Sequence, residues 1–212
     1  MRLLRIYQID SKDKMVYLLN SIPSGTLGTI DSDGFPQLIP MNFVYAYGAV
    51  YMHSFSMGEK IENIKRYNKV GFEAHRYVEF LPSYFFDPYD ASQADTLYIS
   101  VVIKGYAELV YDMDERSNAL NALMQKYQSE GYYTKLKPDM HTVRDSNLAV
   151  IKVKPMIMTG KYKLGQQWNK EYRRQIAERI LARNTATARH TVDLMGLDPD
   201  TLEYRHEPLE SL

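Results

Sequence analysis

Between Gly25 and Ser54 three strand-like runs follow one another with nothing longer than a tight turn between them. The runs cover residues 25–30, 37–44 and 49–54. Asp33-Gly34 is the strongest hairpin signal in the chain, and Tyr47-Gly48 makes a second turn. Strands joined this tightly run antiparallel, because parallel neighbours need a crossover of a dozen or more residues. The stretch therefore predicts an antiparallel meander. Further strands are expected at 70–75, 97–110 and 147–158. No alternation of strand, helix and strand runs through the chain, which argues against a doubly wound nucleotide fold. The class is mainly β, a small antiparallel barrel with a few packed helices.

The helices have their own signals. Residues 10–20 can be capped by Asp10 or Ser11 and place Met15, Leu18 and Leu19 on one face. Residues 58–67 turn Ile61 and Ile64 inward and their charges mostly outward. Asp112-Met-Asp-Glu115 is a capping box that opens a helix carrying Ala119, Leu120, Leu123, Met124 and Tyr127. A basic amphipathic helix is expected at 169–184, with Tyr172, Ile176 and Ile180 in register. Gly105 falls inside the 97–110 strand, where a bend or bulge is expected. Residues 81–96, with two prolines, form an irregular stretch of a length that is often functional. The end of the chain is weakly patterned.

Composition narrows the function classes. The chain of 212 residues fits one domain with an appendage, or two small domains. Its 26 basic and 26 acidic residues cancel, so there is no global pull toward nucleic acid or an anionic membrane. The absence of cysteine removes disulfides, thiolate metal sites and a cysteine nucleophile. The first ten residues lack the apolar core and cleavage site of a signal peptide, and no apolar run nears the ~20 residues of a membrane span. A cytoplasmic protein is expected. The 18 tyrosines suit half-buried sheets, with ligand stacking confined to a few of them.

Two segments carry chemistry. In the first, a strand ends in His53-Ser54, crosses Phe55-Ser-Met-Gly58 and enters a helix at Glu59-Lys60. The first turn of a helix has unpaired N–H groups and a partial positive charge, so residues 57–60 form an anion site by geometry. Lys60 adds a cation where the helix dipole disfavours one, and a bound phosphate would compensate it. Ser54 and Ser56 offer hydroxyls and His53 an imidazole N–H. The alternative is a solvated lysine and a histidine satisfied by a carbonyl. In the second segment, Pro40 cannot donate to a ladder and marks an edge or interruption. Backbone groups around Asn42 could then bond the polar edge of a flat heterocycle; the alternative is an ordinary edge strand.

Five motifs in order carry a resemblance: Gly25-Thr-Leu-Gly-Thr-Ile30, Asp33-Gly-Phe-Pro36, Pro40-Met-Asn-Phe-Val44, Val50-Tyr-Met-His-Ser54 with Gly58-Glu-Lys60, and Val70-Gly-Phe-Glu73. Tyr98-Ile-Ser100 and Ile157-Met-Thr-Gly160-Lys161 extend it, so that it covers roughly residues 20–161. The pattern resembles the pyridoxamine 5'-phosphate oxidase-like FMN-binding split β-barrel family, in the branch that holds nitroimidazole-resistance proteins. The resemblance implies a split barrel over residues 1–162 and a C-terminal helical extension over 163–212, packed on the barrel or on a dimer partner.

It further implies a homodimer with FMN at the interface. His53, Ser54 and Lys60 would hold the phosphate and ribityl side. Pro40, Met41, Asn42, Phe43 and Val44 would line the isoalloxazine edge, and Ser100 and Val101 would contribute from a neighbouring strand or the partner chain. Trp168, the only tryptophan, could cover the flavin or anchor the terminal helix. True oxidases of the family usually place an arginine before the strand at 38–44 and a second basic residue beside the lysine. Here those places hold Gln37 or Leu38, and Glu59. The C-terminal signature that grips pyridoxine phosphate is also not visible. Both departures argue against pyridoxamine phosphate oxidase activity.

The resulting expectation is an FMN-dependent oxidoreductase acting on another small molecule, such as a nitro-aromatic, a quinone or an amine. No metal-ligand spacing joins the five histidines, and no carboxylate pair is set for acid–base work. A non-catalytic flavin sensor or regulator is the alternative, with the basic helix as its support, although interleaved Glu171 and Glu178 favour a solvated face. A haem-binding split barrel would need an axial ligand from His53 or His75. A plain interaction module is the residual case.

Overall fold

The computed structural model describes residues 4–210; the first three and last two residues of the expected spans, and with them the start of the segment read for a leader, lie outside the described residues. Two compact units are built from interleaved stretches of chain. One comprises residues 16–74 and 101–159; the other comprises residues up to 15, 75–100 and from 160 onward.

An eight-stranded sheet organises the chain. After β1 (Gln8–Ile9) and helix α1 (Lys12–Ser21) come β2 (Gly25–Ile30), β3 (Pro36–Met41), β4 (Val44–Ala46) and β5 (Ala49–Phe55). Helix α2 (Glu59–Arg66) leads to the long strands β6 (Lys69–Leu81) and β7 (Asp95–Leu109). Helices α3 (Met113–Tyr127) and α4 (His141–Arg144) precede β8 (Leu148–Lys163). The strand order is β3-β2-β6-β7-β8-β5-β4, with β1 beside β8.

This order corrects the expected meander. Residues 37–44 are not one strand: pairing stops after Met41, and Val44 opens a new strand on β5. The two hairpins lie at opposite ends of the strand order, joined by Asn42-Phe43. The turn chemistry holds. The Asp31 carboxylate accepts the N–H groups of Asp33 and Phe35, and Gly34 takes a φ of 89°. The Pro40 reading of an edge also holds, because among the described residues β3 pairs only with β2.

β7 runs through Gly105, where a bend or bulge was expected, with its alternation of buried and more exposed residues kept. The glycine serves close approach instead, since a Cβ there would sit 2.3 Å from the Lys154 carbonyl oxygen.

In the unit of residues 16–74 and 101–159, α3 seals a core of Tyr51, Val110, Ala119, Leu120, Leu123, Val143 and Val150. Asp112 caps α3, its carboxylate accepting the Glu115 N–H at 2.8 Å. Glu115 does not complete the capping box: its carboxylate accepts the Tyr51 hydroxyl at 2.7 Å and pairs with Lys152 at 2.5 Å.

The other unit contains helices α5 (Lys170–Ala182), capped by the Asn169 side chain, and α6 (Ala188–Leu194), which no capping or periodic pattern announced. The basic face expected on α5 is mostly engaged. Arg173 is buried at 4 % exposure, donating to the carbonyls of Gly165 and Trp168. Arg183 reaches Glu79 and the Phe80 carbonyl, and Arg179 the Phe85 carbonyl.

Candidate flavin corner

The corner at the end of β5 is built by three local facts. β5 stops where the Ser56 N–H turns to the Asn147 carbonyl. Gly58 then adopts φ 112°, a conformation that L side chains rarely take, and so redirects the chain into α2. Ile61 and Ile64 bury the inner face of that helix. Gly58 offers no side-chain cap; its carbonyl accepts from Ile61 and Glu62. The N–H groups of Glu59 and Lys60 accordingly have no acceptor among the described residues. Lys60 is half-buried and has no ion pair among the described residues. An anion-ready helix start with a cation inside it is what the sequence pointed to.

Glu59 also lies in the first turn, where a carboxylate competes with any anion. It is held by Gln37, whose side-chain amide donates to it from β3. Gln37 is further joined to Asn63, and Asn63 is fully buried against Thr29. Asn63, Gln37 and Thr29 thus lock α2 onto the β2–β3 hairpin. This polar lock was not read from sequence. Its only signal was an asparagine on the apolar face of an amphipathic helix.

His53 and Ser54 do not act on one side. Strand side chains alternate, and the register sets His53 opposite Val150 and Ser54 opposite Ala149. His53 therefore shares a face with Tyr51 and Lys152, and Ser54 the other face with Met52 and Ile151. The Ser54 hydroxyl is bonded to the Phe55 carbonyl at 2.9 Å.

Around Pro40 the geometry differs from the expected set of free backbone groups. Pro40 and Asn42 are exposed, but Met41, Phe43 and Val44 are buried. Phe43 packs edge-on against Phe72. Its N–H donates to the Tyr127 hydroxyl at 2.8 Å, and that hydroxyl is placed to donate to the carbonyls of Phe43 and Pro23. Asn20 braces Tyr45 in the same way, accepting its N–H and donating to its carbonyl. The interruption is held by Tyr127 of α3 and Asn20 of α1. What faces outward is Pro40 and Asn42.

Lys126 lies under the same segment. Its ammonium sits 3.6 Å from the centre of the Phe43 ring and donates to the Leu19 carbonyl. Burial pulls it down to about 8. The Tyr51 hydroxyl is pushed up to about 12 by burial first and then by the Glu115 carboxylate.

Ser100 is half-buried on the open face of β7, while Val101 points into the interior and is fully buried. Trp168 packs edge-on against Tyr172 of α5 and near Phe86, and its ring lies close over Gly165. These are the contacts of an anchor for the terminal helix. His53 and His75 are both exposed.

The sequence pattern described as pyridoxamine 5'-phosphate oxidase matches residues 11–162, most of the chain. The chain belongs to the pyridoxamine 5'-phosphate oxidase family. Its fold is the split β-barrel of that family, mainly β with packed helices. A candidate 5-nitroimidazole antibiotic resistance protein from Bacteroides thetaiotaomicron is 27% identical, with a TM-score of 0.60; the match covers 73% of this chain and 86% of that one. The flavocytochrome Anf3 from Azotobacter vinelandii is 17% identical, with a TM-score of 0.61 over 76% of this chain and 72% of that one. An FAD and haem binding protein from Mycobacterium smegmatis is 15% identical, with a TM-score of 0.61 over 74% and 73%. The last two likenesses are of fold. No curated protein matches the chain. No helix among the described residues is long and apolar enough to cross a membrane.

Proposed function

We propose that this member of the family binds FMN at the β5–α2 corner, as a cytoplasmic homodimer, and serves an oxidoreductase acting on a small molecule other than pyridoxamine phosphate. The observation that carries this reading is the helix start at Gly58–Lys60: backbone N–H groups without acceptors, beside a half-buried lysine that has no carboxylate partner among the described residues. A phosphate monoester satisfies both. Family membership and the flavin- and haem-binding proteins that share the fold support the same cofactor class.

Lys60 and the first-turn N–H groups would hold the phosphate. Ser54 would turn its hydroxyl from the Phe55 carbonyl to the ligand, and Asn42 would offer donor and acceptor to the heterocycle edge. His53, on the other face of β5, is a weaker candidate for the same ligand. When bound, FMN supplies hydride and electron transfer at its N5, and the chain supplies orientation and charge. Exposed Phe35, Leu38 and Met57 around the corner support a second copy as the partner that covers it. With Glu59 where a second cation would strengthen the grip, a substrate carrying its own phosphate is disfavoured beside the cofactor, which supports a nitro-aromatic, quinone or amine.

The test is the visible spectrum of the purified protein, then flavin titration of Lys60→Ala and Ser54→Ala with the fold checked by circular dichroism. Flavin maxima, and affinity lost at least tenfold in Lys60→Ala, are expected. Full affinity in both variants overturns the assignment.

A further inference from the structure

Arg116, near the start of α3, is a buried cation without a counter-ion. It is 6 % exposed, and its guanidinium donates to the carbonyls of Val143, Val110, Asp145 and Leu148, with no carboxylate in reach among the described residues. A guanidinium has five N–H donors, so these four bonds leave one of them without an acceptor. Buried charges are ordinarily paired, because desolvating an ion is costly. Carbonyl dipoles offset part of that cost and leave a full positive charge in place.

This cation forms one wall of a cleft of about 440 Å³, within the size range of small-molecule sites. The floor is apolar, made by Val110, Met113, Leu148 and Val150. The rim carries Lys65 from α2 and Arg144 from α4, with the Ser56 and Ser146 hydroxyls beside them. Neither Lys65 nor Arg144 has an ion pair among the described residues. The one carboxylate lining the cleft, Asp145, accepts the Asn147 N–H at 2.8 Å and keeps its charge. Three cations thus line an apolar slot against a single acid.

We infer that this cleft binds a small organic monoanion with an apolar body, such as an aromatic carboxylate, whose charge meets Arg144, Lys65 and the spare Arg116 donor. The site is separate from the flavin reading and does not depend on it. It lies beside α3 and α4, and of its lining only Ser56 belongs to the β5–α2 corner.

The experiment uses the purified full chain, ¹⁵N-labelled and titrated with benzoate, benzyl alcohol and inorganic phosphate. Benzoate is expected to shift the backbone amides of Ser146, Leu148 and Val150 saturably, with benzyl alcohol and phosphate each at least tenfold weaker. In the double variant Lys65→Gln with Arg144→Gln, which leaves Arg116 in its structural role, benzoate affinity falls at least tenfold while the rest of the spectrum is retained. No saturable shift at those amides, unchanged affinity in the double variant, or phosphate binding as well as benzoate each overturns the inference. The flavin absorbance is recorded in parallel, and failure of the flavin reading leaves these shifts unaffected.

Discussion

The side-chain amide of Gln37 on β3 donates a hydrogen bond to the Glu59 carboxylate in the first turn of α2. Gln37 is one of the two residues standing where the oxidase resemblance implies an arginine, and Glu59 stands where it implies a second basic residue. The contact between them joins a neutral donor to a restrained acid.

Removing that acid should tighten the anion grip. In Glu59→Gln, FMN affinity of the flavin-stripped protein rises about three- to tenfold, because one negative charge leaves the mouth of the helix dipole. Flavin fluorescence quenching measures it, and the gain shrinks at high salt. Weaker binding in the variant means that the phosphate is held elsewhere.

Tyr127→Phe removes the hydroxyl that serves Phe43 and Pro23. The loss leaves a buried N–H and two carbonyls without that partner, and urea unfolding should show about 1–3 kcal/mol of destabilisation. Amide exchange at Phe43 should rise selectively. A neutral variant would show that water replaces the hydroxyl without cost.

Gly105→Ala drives a methyl into the Lys154 carbonyl and must part β7 from β8 locally. A loss of about 2 kcal/mol or more is expected from such overpacking. Gly71→Ala on β6 is the control: nothing lies within 4 Å of the added carbon, and the change should stay within about 0.5 kcal/mol.

Lys126 sets a pH dependence. Its folded pKa is lowered to about 8 from 10.5, so between those values the unfolded chain holds a proton that the native state has released. Stability from this group therefore rises with pH across that window, and below it the buried charge is a constant cost. Above about 10, the raised Tyr51, Tyr45 and Tyr127 act the other way, since their unfolded forms ionise first. Urea midpoints between pH 7 and 9.5 should climb in the wild type and flatten in Lys126→Met. Equal slopes in the two would sink the assignment.

What could be read from sequence followed short-range physics. The Asp33-Gly34 turn, the Asp112 cap and the Gly58–Lys60 corner are each specified within a few residues, and each stands where expected. The break at Asn42-Phe43 was less legible, because the chain there still looks like a strand. What ends it is Tyr127 and Asn20, distant in sequence. The Asn63–Gln37–Glu59 lock is non-local in the same way. The close approach at Gly105 was not legible, because a glycine in a strand signals equally a bulge or a close neighbour, and the neighbour, Lys154, is distant in sequence. Arg173 and Arg116 look like surface charges in sequence; their carbonyl partners are what make them interior residues.

Val50 of β5 is paired with Val153 of β8, whereas its hairpin partner Tyr45 lies a few residues away. Closing so long a loop costs entropy before any contact rewards it, so the local hairpins form first and this pairing comes late. On the ribosome, β5 emerges and waits for everything from residue 56 to residue 147 to be made. During that interval its β8-facing edge is open, and a second nascent chain could dock there in place of β8. Yield of active protein should therefore depend on translation speed through that stretch more than on the equilibrium stability of the finished fold.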